Sequence, residues 1–166
     1  MIARVYVSIG SNIEREANIR AGLDALFEHF GNLYCSPVYE SVAFGFDGDD
    51  FYNLVVGFDT ERSVYDVAQC LHDIENSQQR TRDSVKFSSR TLDLDLILYD
   101  DLVLNDGRIR LPREDIENYA FVLQPLADIA PKERHPQLGL SYEEMWAAFD
   151  PKQVEQHVVA FDWQAH

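Results

Sequence analysis

Residues 90–99 read Arg90-Thr91-Leu92-Asp93-Leu94-Asp95-Leu96-Ile97-Leu98-Tyr99. A leucine at every second position marks a strand with one buried face, so Leu92, Leu94, Leu96 and Leu98 are expected to line one side. Asp93 and Asp95 then share the other side, and Ile97 and Tyr99 continue that row. Two strand positions separate the aspartate Cα atoms by about 6.6 Å, close enough for the carboxylates to converge on one hard cation or on a pair. Aspartate is disfavoured in strands and two on one face repel, so a sheet gains nothing from this arrangement by itself. A solvated strand face would explain a lone D-x-D equally well. Arg90, three residues before Asp93, and the basic segment behind it tip the reading toward a metal–phosphate site.

That segment, residues 80–90, holds Arg80, Arg82, Lys86 and Arg90 against the single acid Asp83, a local balance of +3. The rest of the chain carries ten basic and 28 acidic residues, or −18. A basic loop beside paired carboxylates is what a magnesium-complexed nucleotide requires: the metal bridges phosphate to carboxylate, and guanidinium groups neutralise the remaining oxygens. A solvated loop packed on acidic neighbours is the alternative for the loop taken alone. With a formal net charge of −15 the overall surface repels nucleic acid and anionic membranes, so an anionic ligand needs this local basic site.

With 166 residues, 46% of them hydrophobic, the chain is expected to form a single domain over 1–166 with a real core. The N-terminal segment turns polar too quickly for a secretory signal, and no apolar run reaches membrane-spanning length, so a cytoplasmic protein is expected. Cys35 and Cys70 fall in apolar patterns without metal-type spacing and are expected as buried free thiols.

Along the chain, residues 4–9 read as a strand and 16–30 as a helix with Ile19, Leu23, Leu26, Phe27 and Phe30 at helical spacing and Gly31 after it. Residues 33–42 alternate as a second strand, placed at an edge by Pro37. Residues 51–59 form a third, with Leu54, Val56 and Phe58 on one face. Ser63 caps a second helix with a Val64, Val67, Leu71 and Ile74 stripe, and Asp66 takes the capping-box position. The aspartate strand is the fourth. This βαββαβ order predicts an α+β fold, a ferredoxin-like split-βαβ sheet with helices on one face. Residues 102–104 and 108–111 flank Asn105-Asp106-Gly107 as a hairpin, Pro125 starts a short helix, and Ser141 with Glu144 forms a capping box for the last one.

Neither G-x-x-x-x-G-K-[ST] nor G-x-G-x-x-G occurs, and there is no G-x-S-x-G or H-E-x-x-H, so phosphates must be held by side chains and metal. The five histidines lack metal-ligand spacing; His72, on the second helix, could face a ligand, although a surface position is the commoner case. Phe51 and Asn53 share a strand face, and Phe121 is a second aromatic farther along. An aromatic pair with an amide between could sandwich a flat heterocycle and pair with its edge, although core is the commoner role for both rings.

Together these residues resemble the hydroxymethyldihydropterin pyrophosphokinase family of folate biosynthesis over nearly the whole chain. The matching pieces are Val7 to Asn12, Phe51-Tyr52-Asn53, Glu75 with Arg80 and Arg82, Arg90 to Asp95, and Phe121 to Pro131. The resemblance implies transfer of pyrophosphate from ATP to the hydroxymethyl group of a reduced pterin, with release of AMP. It implies two Mg2+ ions at Asp93 and Asp95, and a pterin stacked between Phe51 and Phe121, with Asn53 reading its edge and Gly45 beside it. Arg80 and Arg90 would be catalytic on a mobile loop that closes over the phosphates, and His72, Glu75, Arg82, Lys86 and Arg113 would lie on the nucleotide side. The implied partners are these small molecules, with no nucleic acid, no membrane and a monomeric chain. The chain departs from the family at Ser88-Ser89 in place of Gly-Pro, Phe87 in place of tryptophan, Lys86 and Tyr119 in place of arginines, and Arg113-Glu114 after Pro112 where a histidine is usual. A catalytically weakened paralogue that binds pterin or nucleotide, and a different D-x-D phosphoryl enzyme, are the alternatives; an RNA-binding module is disfavoured by the charge.

Overall fold

The computed structural model describes residues 1–41, 50–80 and 92–164, apart from the side chains of residues 79, 80 and 153. Strand β1 (Ala3–Ser11) leads into helix α1 (Arg15–Phe30), and β2 (Tyr34–Cys35) and β3 (Val38–Ser41) follow. Next come β4 (Phe51–Thr60), α2 (Val64–Arg80) and β5 (Asp93–Tyr99). A small hairpin, β6 (Leu104–Asn105) and β7 (Arg110–Leu111), precedes α3 (Asp115–Asn118), α4 (Ala120–Ile129), α5 (Tyr142–Ala147) and β8 (Gln156–Val159). The sheet runs in the order β5-β1-β4-β3-β8, with β2 also paired to β4 and every pairing antiparallel. The fold is therefore mixed α+β around an antiparallel sheet.

Period-two alternation sorts the strand residues into two faces. Val5, Val7 and Ile9 of β1, Leu54, Val56 and Phe58 of β4, and Leu92, Leu94 and Leu96 at β5 turn to one face. There they meet Ile19, Leu23 and Leu26 of α1 and Val64, Val67, Leu71 and Ile74 of α2, the apolar stripes expected for those helices. The Ser63 hydroxyl accepts from the Asp66 N–H at 3.2 Å and caps α2 as the sequence predicts. On the opposite face Tyr6, Val55, Ile97 and Leu98 pack under α3, α4 and α5 through Ile116, Val122, Leu123, Leu126, Tyr142 and Met145. Helices thus cover both faces, not one, because the chain after β5 returns across the second face.

The leucine alternation also breaks. Leu98, expected beside Leu96, packs on the α4 face with Ile97, while Tyr99 turns back toward the α1/α2 core. The cause is a β-bulge: Tyr6 pairs with Leu98 and Val7 with Leu96, so one extra residue, Ile97, is inserted in β5. A bulge reverses the facing of every residue beyond it.

Four further expectations are corrected. The strand over 33–42 is split at Ser36-Pro37: Ser36 accepts from the Val55 N–H through its hydroxyl and donates its own N–H to the Val55 carbonyl, both at 2.9 Å. Pro37, which has no N–H for a ladder, sits in that break. The β3 strand is not an edge, because β8 pairs along it from Val38–Val159 to Ser41–Gln156. Pro125 lies inside α4 rather than starting it, and Tyr119, extended at φ −127°, is the N-cap. Cys70 is a buried free thiol as expected, whereas Cys35, also free, is exposed in the short β2 strand. The capping box at Ser141 is present, with Glu144 N–H donating to Ser141 Oγ at 3.2 Å and Ser141 N–H to Glu144 Oε1 at 2.9 Å. Among the described residues no helix is long and apolar enough to cross a membrane.

Candidate active site

The α4 face of the sheet is apolar only at the end that α4 covers. At the other end one row of residues crosses four strands: Tyr39 pairs with Asn53, Asn53 with Gly10, and Gly10 with Asp93. Two strand spacings set Asn53 and Asp93 about 10 Å apart. Gly10 stands between them with little room beside it: a Cβ there would lie 2.9 Å from Asn53 Oδ1 and 3.8 Å from the Phe51 ring, so the Asn53 amide would have to shift. Asn53 is buried, and its Nδ2 donates to Ser41 Oγ at 2.8 Å. Phe51, two residues before it, is half-buried on the same face.

Asp93 and Asp95 are half-buried on this face, and Asp95 pairs with Ser8 of β1. Burial, and then the charge of Asp93, push the Asp95 carboxyl well above the usual carboxylate range, a rise that Arg113 partly offsets. A half-buried pair of acids that resists full ionisation is a donor set that a divalent cation would relieve. Among the described residues no group of three or more His, Cys, Asp or Glu is arranged to hold a metal. Two carboxylates suit magnesium, which keeps several waters and takes its remaining oxygens from bound phosphates.

The outer edge of β5 is held by α2: the Leu94 N–H donates to Glu75 Oε2 at 2.7 Å. Beside this contact lies a cavity of about 190 Å³ lined by His72 and Glu75 of α2, Asp95 of β5, and Arg108, Arg110 and Arg113 of the hairpin and the segment after it. Four sequence-predicted positions, His72, Glu75, Asp95 and Arg113, thus share one cavity. The Arg113 N–H donates to the Ile97 carbonyl at 3.2 Å, fixing that segment against the bulge. Its guanidinium approaches Asp115 at 3.5 Å, and its Nε is buried without a hydrogen-bond partner among the described residues. Arg108 and Arg110 were missed by sequence reasoning. Their i, i+2 spacing in the predicted hairpin was the available signal, since it sets both on one side.

Phe121, in the first turn of α4, is half-buried against the apolar cluster of that face, and its ring stacks on Tyr119 at 5.0 Å between centroids and 17° between planes. A second cavity, about 120 Å³, is lined by Phe121, Tyr119, Gln156 and Ser41. Ser41, also missed, is the link between Phe121 and Asn53, for its hydroxyl holds the Asn53 amide. Gly45, Arg82, Lys86 and Arg90 lie outside the described residues, as does the loop closure expected around them. Arg80 ends α2, with only its backbone described.

A protein-family model described as 7,8-dihydro-6-hydroxymethylpterin-pyrophosphokinase matches residues 6–131. The chain is 40% identical over 153 residues to the 2-amino-4-hydroxy-6-hydroxymethyldihydropteridine pyrophosphokinase of Pseudomonas aeruginosa, covering 89% of this chain and 93% of that relative. It is 34% identical over 130 residues to the enzyme of that name from Haemophilus influenzae, covering 75% and 80%. The fold is similar to that of wild-type Plasmodium falciparum HPPK-DHPS, with a TM-score of 0.69 at 12% identity over 89% of this chain. At that identity the likeness concerns the fold alone, and this chain spans 44% of the Plasmodium chain.

Proposed function

The chain belongs to the 7,8-dihydro-6-hydroxymethylpterin-pyrophosphokinase family, and from that premise we propose that it transfers pyrophosphate from ATP to the hydroxymethyl group of 6-hydroxymethyl-7,8-dihydropterin. The pterin hydroxyl oxygen attacks the β-phosphorus, the bond from that phosphorus to the α,β-bridging oxygen breaks, AMP leaves, and the hydroxyl proton is released. The observation that carries this reading is the single row on one sheet face, in which Asn53, Gly10 and Asp93 are consecutive. It supports a pterin at one end and a triphosphate at the other, with the reacting groups meeting over Gly10. The binding-only alternative is not favoured, since the relatives are named as pyrophosphokinases.

In this reading Phe51 and Phe121 hold the flat ring, and Asn53, its amide oriented by Ser41, reads the ring edge. Arg113 and the neighbouring Arg108 and Arg110 take phosphate oxygens, with His72 and Glu75 on the opposite wall of the same cavity. Glu75 also fixes the β5 edge through the Leu94 N–H, between the two aspartates. Asp93 and Asp95 would hold magnesium, which, when bound, supplies positive charge to the phosphates. Arg80 and Arg90 are proposed as the groups that stabilise charge on the transferred diphosphate, with Arg82 and Lys86 as further phosphate contacts and Gly45 beside the pterin. Beneath the site, the strand order β5-β1-β4-β3 with antiparallel neighbours supports a ferredoxin-like sheet extended by β8.

Incubation with Mg-ATP and the reduced pterin, followed by chromatography of the nucleotides, tests the activity. AMP formed in proportion to pterin consumed is expected. ADP as the sole product, or no pterin-dependent product, would overturn it.

A further inference from the structure

Tyr119 is the residue in this region whose position the proposed chemistry does not explain. As the extended N-cap of α4 it makes no side-chain capping bond, its side chain is 46% exposed, and its hydroxyl has no hydrogen-bond partner among the described residues. What holds the ring is its near-parallel stack on Phe121. Tyr119 also forms a wall of two separate cavities: the one with Phe121 and Ser41, and one of about 280 Å³ that contains Arg110 and Arg113. The ring therefore stands between the aromatic platform and the basic cavity.

We propose that Tyr119 is a displaceable cover on Phe121, a positioning residue that sets pterin affinity by having to leave the surface the heterocycle needs. The inference rests on the reading of Phe121 as the pterin platform. Phe121 packs against the apolar cluster of the sheet and lines the cavity with Ser41, and Tyr119 stacks on one of its two ring faces, so part of the platform is already occupied in the empty protein. Binding then exchanges one aromatic stack for another. Only molecules with the tyrosine swung aside are competent, so the apparent dissociation constant is the intrinsic one divided by the open fraction. An exposed aromatic pair is worth enough to lower that fraction about two- to ten-fold. With the stack released, an extended, solvent-exposed tyrosine turns out about its own side-chain bonds without disturbing the helix. Covering Phe121 in the empty protein also keeps an apolar ring out of water until a heterocycle replaces the cover.

The test uses the full-length chain with magnesium and α,β-methylene-ATP, whose bridging bond cannot be cleaved, and titrates hydroxymethylpterin by its fluorescence. Tyr119→Ala is expected to bind the pterin about two- to ten-fold more tightly than wild type, with KM for pterin falling in parallel in the ATP assay. Tyr119→Phe keeps the stacked ring and is expected to keep wild-type affinity. Phe121→Ala, checked for an unchanged melting transition, is expected to bind more weakly. Weaker or unchanged binding in Tyr119→Ala, with Phe121→Ala weakened, overturns the cover while leaving the platform standing; the tyrosine is then a fixed layer of the pocket or a bystander. Unchanged binding in Phe121→Ala overturns the platform itself, and the cover with it.

Discussion

The two faces of this sheet are made by the same strands and do opposite things. On the α1/α2 side the inward positions in the middle of the strands, Val5 to Ile9 of β1, Leu54 to Phe58 of β4 and Leu94 and Leu96 of β5, are aliphatic or aromatic, and two amphipathic helices close over them. On the α4 side the alternate residues of the same strands begin as core, at Tyr6, Val55, Ile97 and Leu98, and turn polar toward the other end, at Ser8, Gly10, Asn53, Asp93 and Asp95. Strand parity thus separates the apolar core from the polar row proposed to carry the chemistry. Odd positions of β1 and even positions of β4 and β5 build the fold up to the bulge, and the positions between them carry the proposed site. Acids and a glycine can be afforded on the second face because the first supplies the apolar burial.

Four substitutions test that division. Arg90→Ala should lower turnover by roughly two to four orders of magnitude, as for other charge-stabilising arginines, while pterin affinity changes far less. Steady-state kinetics with a parallel pterin titration checks this; equal losses in both would show that Arg90 shapes the pocket instead. Asp95→Asn should cost roughly a hundred-fold or more in kcat.

The same substitution should leave the metal-free protein as stable or more so, and the sign follows from its raised carboxyl. A folded-state pKa above the unfolded one favours the protonated acid in the folded protein. Metal-free protein therefore loses stability as pH rises from the ordinary carboxylate value of about 4 through the raised one, and asparagine removes that loss. Melting curves against pH in a chelator measure it. A lower melting temperature in the variant would assign Asp95 to the fold and erase the contrast between the faces.

On the first face, Leu26→Ala, at a fully buried position of α1, should cost about 2–5 kcal/mol of stability. Its kcat per folded molecule should stay near wild type; denaturant unfolding beside active-site-normalised kinetics separates the two. A large change in kcat would mean that the faces are coupled. Gly10→Ala has the smallest expected effect and sits where the division is finest. Its Cβ would press on Asn53 Oδ1, so pterin affinity should fall about ten-fold, with little change in melting temperature. A loss of stability without a loss of affinity would place Asn53 with the core.

Much of this was legible in the sequence. Asp93 and Asp95 were assigned to a common face by alternation, and Phe51 and Asn53 by the same rule, because side-chain direction in a strand is a local steric property. Helix α1 announced itself through its spacing and α2 through its spacing and cap. The bulge at Ile97 was not legible, since it depends on how β5 registers against β1, ninety residues away in the chain. The split at Ser36-Pro37 was half legible: the proline was visible, but the serine that replaces a ladder bond was not, because its partner Val55 belongs to another strand. Pro125 was misread as a helix start because its local preference gave way to the apolar face of α4 on the sheet.

By itself, then, the sequence determined which strand residues share a face up to the bulge, where the two long helices and the main strands lie, and, through its resemblance to a family, what chemistry the chain carries. Only the tertiary structure decided that His72, Glu75, Asp95, Arg108, Arg110 and Arg113 enclose one cavity, that Ser41 joins Asn53 to Phe121, and that Tyr119 lies on Phe121. The physical reason is range. Alternation and capping are set by neighbours a few residues apart, whereas a cavity is made by elements that meet only when the apolar faces on both sides of a sheet have been buried.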